Sequence, residues 1–457
     1  MILKAGDSSQ IFRSKPMKRF WFVLFALGLI TTFSTQALAV DVKFSGSYYA
    51  AGMYLDKTTL RKDTATDGPS TAFYFQRLRV GTEFIVAPGL SLITRFDAME
   101  RSWGATRTVP GTTLDSLSAG TRAENENIAF DYAYIQYASS IGILAVGYMN
   151  NNDWGTVFGN SQGPAAKASF ILPIGFDLTV MAQVVKVTEN SRTAINPSAT
   201  FSDADTNEYY LIATYNWKYV TAGVLGVYGR NAETRPLGWM ISYYMLEPYA
   251  TAKFGPVSIQ AELQYAWSGH FVKFENNIPL SDQKLSNWAG WIDITASFGP
   301  VYVGGSFAYV AGDNPDTTDT VEGGILTGGA DWNPCLILWN YDRTYWAGSL
   351  AGQGTSVNSD PMVNAFFYQG RVGVKPIDKL DILASVSYAY ADKKPTGYVS
   401  NEYGWEVDLT ATYKITNNLS YMLGIGYLFT GDYFKGEVAN ASVNNDFLVL
   451  NKLTLTF

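Results

Sequence analysis

Apolar and polar residues alternate with a period of two over the last dozen positions of the chain. One face holds Phe457, Leu455, Leu453, Val449 and Phe447, interrupted by Asn451, and the other holds Thr456, Thr454 and Lys452. Because successive side chains of a β-strand point to opposite sides of the sheet, this pattern predicts a strand with one apolar and one polar face. Such a strand suits a barrel wall with lipid outside and water inside.

Two kinds of connection alternate along the chain. Short segments rich in Gly, Pro and Asn, which predict tight turns, lie at 87–90, 139–142, 172–175, 216–219, 254–257, 298–301, 375–378 and 415–418. Longer segments lie near 56–72, 102–127, 150–164, 188–206, 230–238, 269–286, 313–360, 392–402 and 431–445. Eight turns and nine loops separate eighteen strands. The predicted fold is all-β: a transmembrane antiparallel up-and-down β-barrel of about 18 strands (16–18), with short periplasmic turns and long extracellular loops.

The beginning of the chain predicts export. Lys18 and Arg19 precede an apolar run over 20–32, and Ala37-Leu38-Ala39 is typical of a signal-peptide cleavage site. Because Met17 stands directly before the basic pair, we expect the true start there and cleavage near Ala39. Residues 1–39 are thus predicted to be an upstream extension and signal peptide, and 40–457 a single barrel domain.

Composition narrows the function classes. Aromatic residues make up 15% of the chain, which suits aromatic girdles at the two membrane interfaces. Residues 40–457 hold 28 basic and 39 acidic residues, so a nucleic acid is excluded as a partner. Cys335 is the only cysteine, which rules out an intrachain disulfide. After the signal, no apolar run of eighteen or more residues predicts a transmembrane helix.

A group of charged residues is predicted to line the pore on two neighbouring strands. Its members are Arg77, Arg79, Glu83, Arg95, Asp97 and Arg101. A hairpin through Pro88-Gly89 would set Glu83 opposite Arg95, Arg77 opposite Arg101, and Asp97 near Arg79. Each Arg in the lipid would cost about 2–4 kcal/mol at mid-membrane, so these residues are expected to point inward. Four arginines against two acidic residues leave a surplus of positive charge, which favours an electrostatic filter in the pore. The alternative is a set of ion pairs that only fills the water-filled interior.

Further pore-lining residues and two loops complete the predicted site. Arg371, Glu406 and Asp408 alternate with apolar neighbours and are also predicted to face the pore. The segment 150–164, with Asp153 and Trp154, follows the fifth strand. In general porins, which this chain resembles in the position of that loop, the loop folds inward and narrows the channel; an ordinary surface loop is the alternative. The segment 313–360 is too apolar for a solvated loop. Its Trp332, Trp339 and Trp346 predict a lid or plug, with a partner-binding surface as the alternative.

Two resemblances indicate a class of protein. A chain that ends on an aromatic strand resembles bacterial outer-membrane β-barrels, whose last strand is read by the barrel-assembly machinery. The segment 401–409, Asn-Glu-Tyr-Gly-Trp-Glu-Val-Asp-Leu, and the hairpin through Gly431-Asp432-Tyr433-Phe434 are similar to the C-terminal hairpins of the alginate-export-like porin family. That resemblance implies an eighteen-stranded outer-membrane barrel. Some members of the family pass an anionic polysaccharide along an arginine-lined bore.

These observations predict an outer-membrane porin for passive diffusion of small hydrophilic or charged solutes. The expected partners are outer-membrane lipid, lipopolysaccharide, the barrel-assembly machinery and the solutes, and a homotrimer is left open. No cofactor, metal or catalytic site is predicted. The alternatives are a dedicated anionic polysaccharide exporter, a sheath porin for a periplasmic partner and, last, an enzyme. The single histidine, His270, has no serine motif beside it.

Overall fold

The computed structural model describes residues 40–62, 68–104, 128–151, 153–190, 204–275, 280–357 and 361–457. The predicted signal peptide, residues 1–39, lies outside this part of the chain. Eighteen long strands dominate the described residues. They are β1 (Asp41–Leu55), β2 (Thr71–Ala87), β3 (Leu90–Ser102), β4 (Ile128–Ser139), β5 (Gly142–Asn150), β6 (Pro164–Ile174), β7 (Leu178–Thr188), β8 (Thr206–Asn216), β9 (Val220–Asn231), β10 (Trp239–Phe254), β11 (Val257–Phe274), β12 (Gln283–Phe298), β13 (Val301–Val310), β14 (Ala365–Ile377), β15 (Leu380–Tyr390), β16 (Glu402–Lys414), β17 (Leu419–Thr430) and β18 (Asp446–Thr456).

Each strand pairs in antiparallel fashion with its neighbours along the chain, and the sheet closes on itself. Closure comes from β1 and β18, which pair from Ser47 opposite Thr456 to Leu55 opposite Leu448. A closed sheet has no free edge, so its backbone N–H and C=O groups bond within the wall. The predicted antiparallel barrel of eighteen strands is confirmed.

Side chains alternate between the two faces of the wall, and β16 shows the pattern clearly. Trp405, Val407 and Leu409 are exposed on the outside, at 48%, 42% and 49%. Glu406 and Asp408 point inward and are 0% and 4% exposed. Apolar side chains therefore face outward where charged ones face inward, which is the arrangement of a barrel surrounded by lipid.

Aromatic rings form a band on the outer face near the long-loop end. Between β9 and β12 they stack in sequence, with Tyr228 next to Tyr244, Tyr244 next to Trp267, and Tyr265 against Trp288 at 3.9 Å between ring centroids. Amphipathic rings favour the boundary between hydrocarbon and water. The band matches the predicted aromatic girdle.

The connections follow the predicted alternation of turns and loops. All eight short turns occur, but two lie slightly later than predicted, at 175–177 and 378–379. Gly175, which begins the first of these, has a φ of +67°, a left-handed conformation that glycine adopts without strain. The short turns occupy one end of the barrel and the long loops the other. That the short turns are periplasmic stays a prediction.

Short elements occur in the loops. One helix, α1 (Tyr341–Ala347), lies in the segment 311–364, and Thr320–Val321 adds a short parallel pairing to β12. Two-residue pairings join Arg61–Lys62 to Ser442–Val443 and Leu350–Ala351 to Ser356–Val357. No helix among the described residues is long and apolar enough to span a membrane.

Candidate functional site

Residues 151 and 153–163 lie inside the barrel, and we call the segment 151–163 the first inward loop. It leaves β5 and reaches β11, where Thr156 donates from its backbone N–H and its hydroxyl to the buried Glu262 carboxylate, both at 2.7 Å. Trp154 packs edge-on against Tyr249 and donates its indole N–H to the Glu247 carbonyl at 3.1 Å. The structure therefore brings Trp154 to the far wall, and neighbouring Asp153 lies in the same inward segment.

The described residues of the segment 311–364 (311–357 and 361–364), which we call the second inward loop, also lie in the lumen. Its three predicted tryptophans pack on rings of the inner wall. Trp332 meets Phe367 at 5.2 Å between centroids, Trp339 meets Phe367 and Tyr403 at 5.4 and 6.1 Å, and Trp346 stacks on Phe75 at 4.6 Å. Trp339 and Phe367 are completely buried. The apolar content of this loop is thus explained by packing inside the barrel rather than on its surface.

A buried carboxylate fixes the middle of the second inward loop. Glu406 of β16 accepts hydrogen bonds from the backbone N–H groups of Leu336, Ile337 and Leu338, at 3.0, 2.6 and 2.7 Å. Three consecutive N–H groups that converge on one anion form a strong, charge-assisted contact. Gln369 of β14 adds a hydrogen bond to the Pro334 carbonyl at 2.7 Å.

Helix α1 is held against β18 by charge pairs. Asn340 caps the helix by accepting from the Arg343 N–H at 3.0 Å. Asp342 pairs with Lys452 at 2.7 Å. The buried Arg343 lies 3.9 Å from Asp446 and also donates to the Gly348 carbonyl. Burial lowers the pKa of the Arg343 guanidinium, whereas the nearby charges of Asp446 and Glu406 act to raise it.

The two inward loops touch each other inside the barrel. Asn160 donates its side-chain amide to Asp331 at 2.7 Å, and the Ala330 N–H donates to the Ser161 hydroxyl at 2.7 Å. Phe158 packs edge-on against Trp332, 5.3 Å between ring centroids. Burial raises the pKa of the Asp331 carboxyl group, as does the charge of Asp153, whereas the hydrogen bond from Asn160 lowers it. The two loops are therefore joined by polar and aromatic contacts inside the barrel.

Three arginines on the inner wall are each matched by a carboxylate. The pairs are Arg79 with Asp97 (2.6 Å), Arg95 with Asp131 (3.0 Å) and Arg77 with Glu100 (3.3 Å). Gln162 of the first inward loop accepts from Arg79 at 2.6 Å and from Arg95 at 3.2 Å. The predicted proximity of Arg79 and Asp97 is confirmed, but the predicted surplus of positive charge on this wall is wrong. Glu100 and Asp131 supply the missing negative charge.

The predicted pairing of Arg77 with Arg101 is also wrong. Met99 has a φ of +53°, unusual for a residue with a side chain, and the register of β2 against β3 is irregular beside it. Arg101 therefore lies opposite Gln76, on the face away from Arg77. The irregularity turns Glu100 inward instead. A bulge is invisible to a period of two, so the sequence pattern selected the wrong residue.

Glu83 does not face Arg95 as predicted. An irregularity between β2 and β3 near their turn sets Arg95 opposite Gly81. Glu83 instead pairs with Lys43 at 3.4 Å and accepts from the Ser91 hydroxyl at 2.9 Å. Glu83 thus belongs to the short-turn end of the wall and not to the charged group around Arg79.

The remaining predicted pore residues lie elsewhere on the inner wall. Arg371 pairs with Asp293 through two hydrogen bonds of 2.6 and 2.7 Å. Glu406 and Asp408 lie under the second inward loop. The sequence pattern did not identify Asp131, because a third irregularity, in the pairing of β4 with β3 at Arg95 and Phe96, interrupts the alternation of β4.

A cavity of about 700 Å³ lies between the charged wall and the two loops. Its lining includes Arg77, Arg79, Asp97, Glu100, Gln162, Asp331, Cys335, Tyr345, Asp408 and Lys452. Cationic and anionic groups thus face the same space. Such a cavity can hold a small polar or charged solute by hydrogen bonds and ion pairs.

Comparison with known proteins identifies the fold. No family model matches the chain, and no curated protein is significantly similar to it in sequence. Solved structures do resemble it. OccK9 (OpdG) of Pseudomonas aeruginosa has a TM-score of 0.52 at 14% identity, covering 91% of this chain and 99% of that one. OccAB3 of Acinetobacter baumannii has a TM-score of 0.52 at 10% identity, covering 91% of this chain and 100% of that one. OccAB4 of the same organism has a TM-score of 0.50 at 12% identity, covering 93% of this chain and 100% of that one.

The chain has the fold of a porin-like β-barrel. The Occ proteins are outer-membrane porins, and the likeness extends over almost the whole described barrel. At identities this low the likeness concerns the fold alone. The relation of this porin-like barrel to the alginate-export-like family stays a prediction.

Proposed function

We propose that this barrel is an outer-membrane porin through which small hydrophilic or charged solutes diffuse passively. One observation carries the proposal: two loops that fold inward leave a charged cavity of about 700 Å³ beside the wall of a lipid-facing barrel. An eighteen-stranded barrel is wide enough for an aqueous channel unless its interior is filled. The loops narrow that channel, and the paired charges line what is left.

The charged wall acts as the selective part of the pore. Arg77, Arg79 and Arg95 each have a carboxylate partner, so the wall presents alternating signs with little net charge. This arrangement favours solutes that carry hydrogen-bonding groups or charges of both signs over simple salt ions of one sign. Weak ion selectivity is therefore expected in a salt gradient.

The alternatives have less support. A polysaccharide exporter of the alginate type needs a continuous wide bore, and the two inward loops meet across the lumen through Asn160 and Asp331. An enzyme would need a catalytic group at the cavity. His270 lies at the loop end of β11, exposed, with its Nδ1 2.8 Å from Asp282. A sheath porin would need a partner inside the barrel, where the second inward loop lies.

Single-channel conductance of the refolded full chain in planar bilayers tests the proposal. We expect small, steady channels and a reversal potential near zero in a salt gradient. Arg79→Ala should then shift the reversal potential toward cation preference. A larger conductance in a variant whose inward loop is released from the wall would support the proposal that the loops narrow the channel. The absence of conductance from both the wild type and a loop-released variant would overturn the porin proposal.

A further inference from the structure

Three side chains of the types that bind metals meet where the second inward loop touches the barrel wall. Cys335 comes from the loop, and Glu406 and Asp408 come from β16, two residues apart and hence on the same face. One ligand atom from each, the sulfur and one carboxylate oxygen apiece, lie within 4.8 Å of one another. All three residues are buried, with exposures of 4%, 0% and 4%.

The two carboxyl groups of this cluster have little direct charge compensation among the described residues. Asp408 Oδ1 has no hydrogen-bond partner among the described residues, although the residue is buried. Neither Glu406 nor Asp408 belongs to an ion pair in the described part of the chain. The Arg343 guanidinium makes its direct contacts with Asp446 and Gly348 and acts on Glu406 only through longer-range electrostatic attraction. The two carboxyl groups lie within hydrogen-bond reach of each other, so a shared proton or a bound cation must offset their repulsion.

The hydrogen bonds of Glu406 suit a metal ligand. Its Oε1 accepts from two backbone N–H groups, those of Leu336 and Ile337, whereas Oε2 accepts only from Leu338. Oε2 therefore has a second lone pair, which can face the neighbouring Asp408 carboxyl group or a bound ion. Carboxylates that bind metals are commonly oriented by such second hydrogen bonds. The same N–H groups that fix the loop thus hold Glu406 in a defined position beside Cys335 and Asp408.

The third ligand is also available. Cys335 Sγ lies 3.3 Å from the Ser387 hydroxyl and retains lone pairs for a cation. Cys335 and Asp408 both line the cavity, so an ion can reach them from the pore. The ligand atoms, within 4.8 Å of one another, need to approach a little to share a tetrahedral ion, whose bonds to sulfur and oxygen are about 2.3 and 2.0–2.2 Å.

We propose that Cys335, Glu406 and Asp408 form a binding site for a divalent cation that accepts a thiolate, of the Zn²⁺ class. The three residues supply one sulfur and two oxygen ligands, and the cavity leaves a fourth position for water or a solute. Binding transfers the Cys335 thiol proton to the solvent. The ion then links the second inward loop to β16. The site itself does not depend on what passes through the pore.

Zn²⁺ alone is the probe for the test. The refolded full chain, carrying His270→Ala so that the exposed imidazole beside Asp282 does not bind the ion, is dialysed to equilibrium against Zn²⁺. We expect one ion per chain. Cys335→Ser and Asp408→Asn should each weaken binding by about 100-fold or more. Asp293→Asn, which changes another inward carboxylate next to Arg371, should leave the affinity unchanged.

Heat-modifiable gel mobility shows whether each variant has folded. If a variant has not folded, a second measurement on the chain with native residues tests the proposal. Cd²⁺ added to the chain with native Cys335 should give the ultraviolet absorption of a metal–thiolate bond. Absence of both Zn²⁺ binding and this absorption would overturn the proposal. So would binding that survives Cys335→Ser and Asp408→Asn in folded protein, because the ion would then sit on surface carboxylates.

Discussion

Arg79 and Asp97 face each other across β2 and β3 and are joined by two parallel hydrogen bonds of 2.6 Å. This bidentate pair removes most of the net charge that Arg79 would otherwise present to the cavity. The Asp131 carboxylate lies 3.6 Å from the Arg79 guanidinium but also pairs with Arg95, so it balances only part of the positive charge of Arg79. The charge balance of the pore wall therefore depends on Asp97.

Asp97→Asn is expected to make the pore prefer anions. The amide keeps the shape of the side chain but leaves one uncompensated positive charge beside the cavity, so the reversal potential in a salt gradient should shift toward anion selectivity. Asp293→Asn is the matched control, because it breaks the equally close pair with Arg371 away from the cavity. An equal shift in both variants would contradict a selective role for the wall around Arg79.

Glu406→Gln is expected to loosen the second inward loop. An amide has one acceptor oxygen and turns its NH₂ group toward a backbone N–H donor, so the docking of the loop should weaken by about 2–4 kcal/mol. We expect a larger, noisier conductance and faster proteolysis within 311–364. Glu83→Gln, which changes a carboxylate bound to Lys43 and Ser91, should leave both readouts unchanged. A quiet channel of wild-type size in Glu406→Gln would show that packing alone holds the loop.

Thr156→Val is expected to affect the first inward loop in a similar but smaller way. The change removes the hydroxyl that donates to the buried Glu262 at 2.7 Å and keeps the size of the side chain. About 1–3 kcal/mol of loop docking should be lost, seen as more frequent transitions between conductance levels. Thr206→Val removes a comparable 2.6 Å hydrogen bond to Glu233 at the start of β8 and should not change gating.

Trp332→Ala is expected to release both loops together. Trp332 is buried and contacts Phe158 of the first loop and Phe367 of the wall, so its truncation should destabilise the loop packing by about 3–5 kcal/mol. The measurement is limited proteolysis: cleavage should appear in both loops while the barrel strands stay uncut. Trp217→Ala removes an exposed indole and should change stability by less than about 1 kcal/mol. Cleavage confined to one loop would argue against their coupling through Trp332.

The barrel could be predicted because its evidence is repeated along the chain. Alternation of outward Trp405 and inward Glu406 depends only on the period of a strand, and each tight turn carries its own glycine or proline. Errors occurred where the period breaks. Irregular pairing around Met99 and Asp131 exchanged the residues that face inward, so the partners of the arginines were missed.

The loops were predictable only in part. The aromatic content of 313–360 indicated burial, which the packing of Trp339 explains, but nothing in the sequence indicated the contact with Glu406. Its donors are backbone N–H groups, which every residue except proline has. Likewise the meeting of Cys335 with Asp408 arises from the path of the loop, since these residues lie far apart in the sequence.

The wall and the loops are held together by different means. The wall rests on backbone hydrogen bonds between neighbouring strands, which almost any side chain permits, whereas the inward loops rest on a few contacts such as Thr156 with Glu262. Substitutions in the loops can therefore change what the interior admits while the wall stays intact. Over evolutionary time, such a molecule can acquire a new substrate range without having to find a new way to fold.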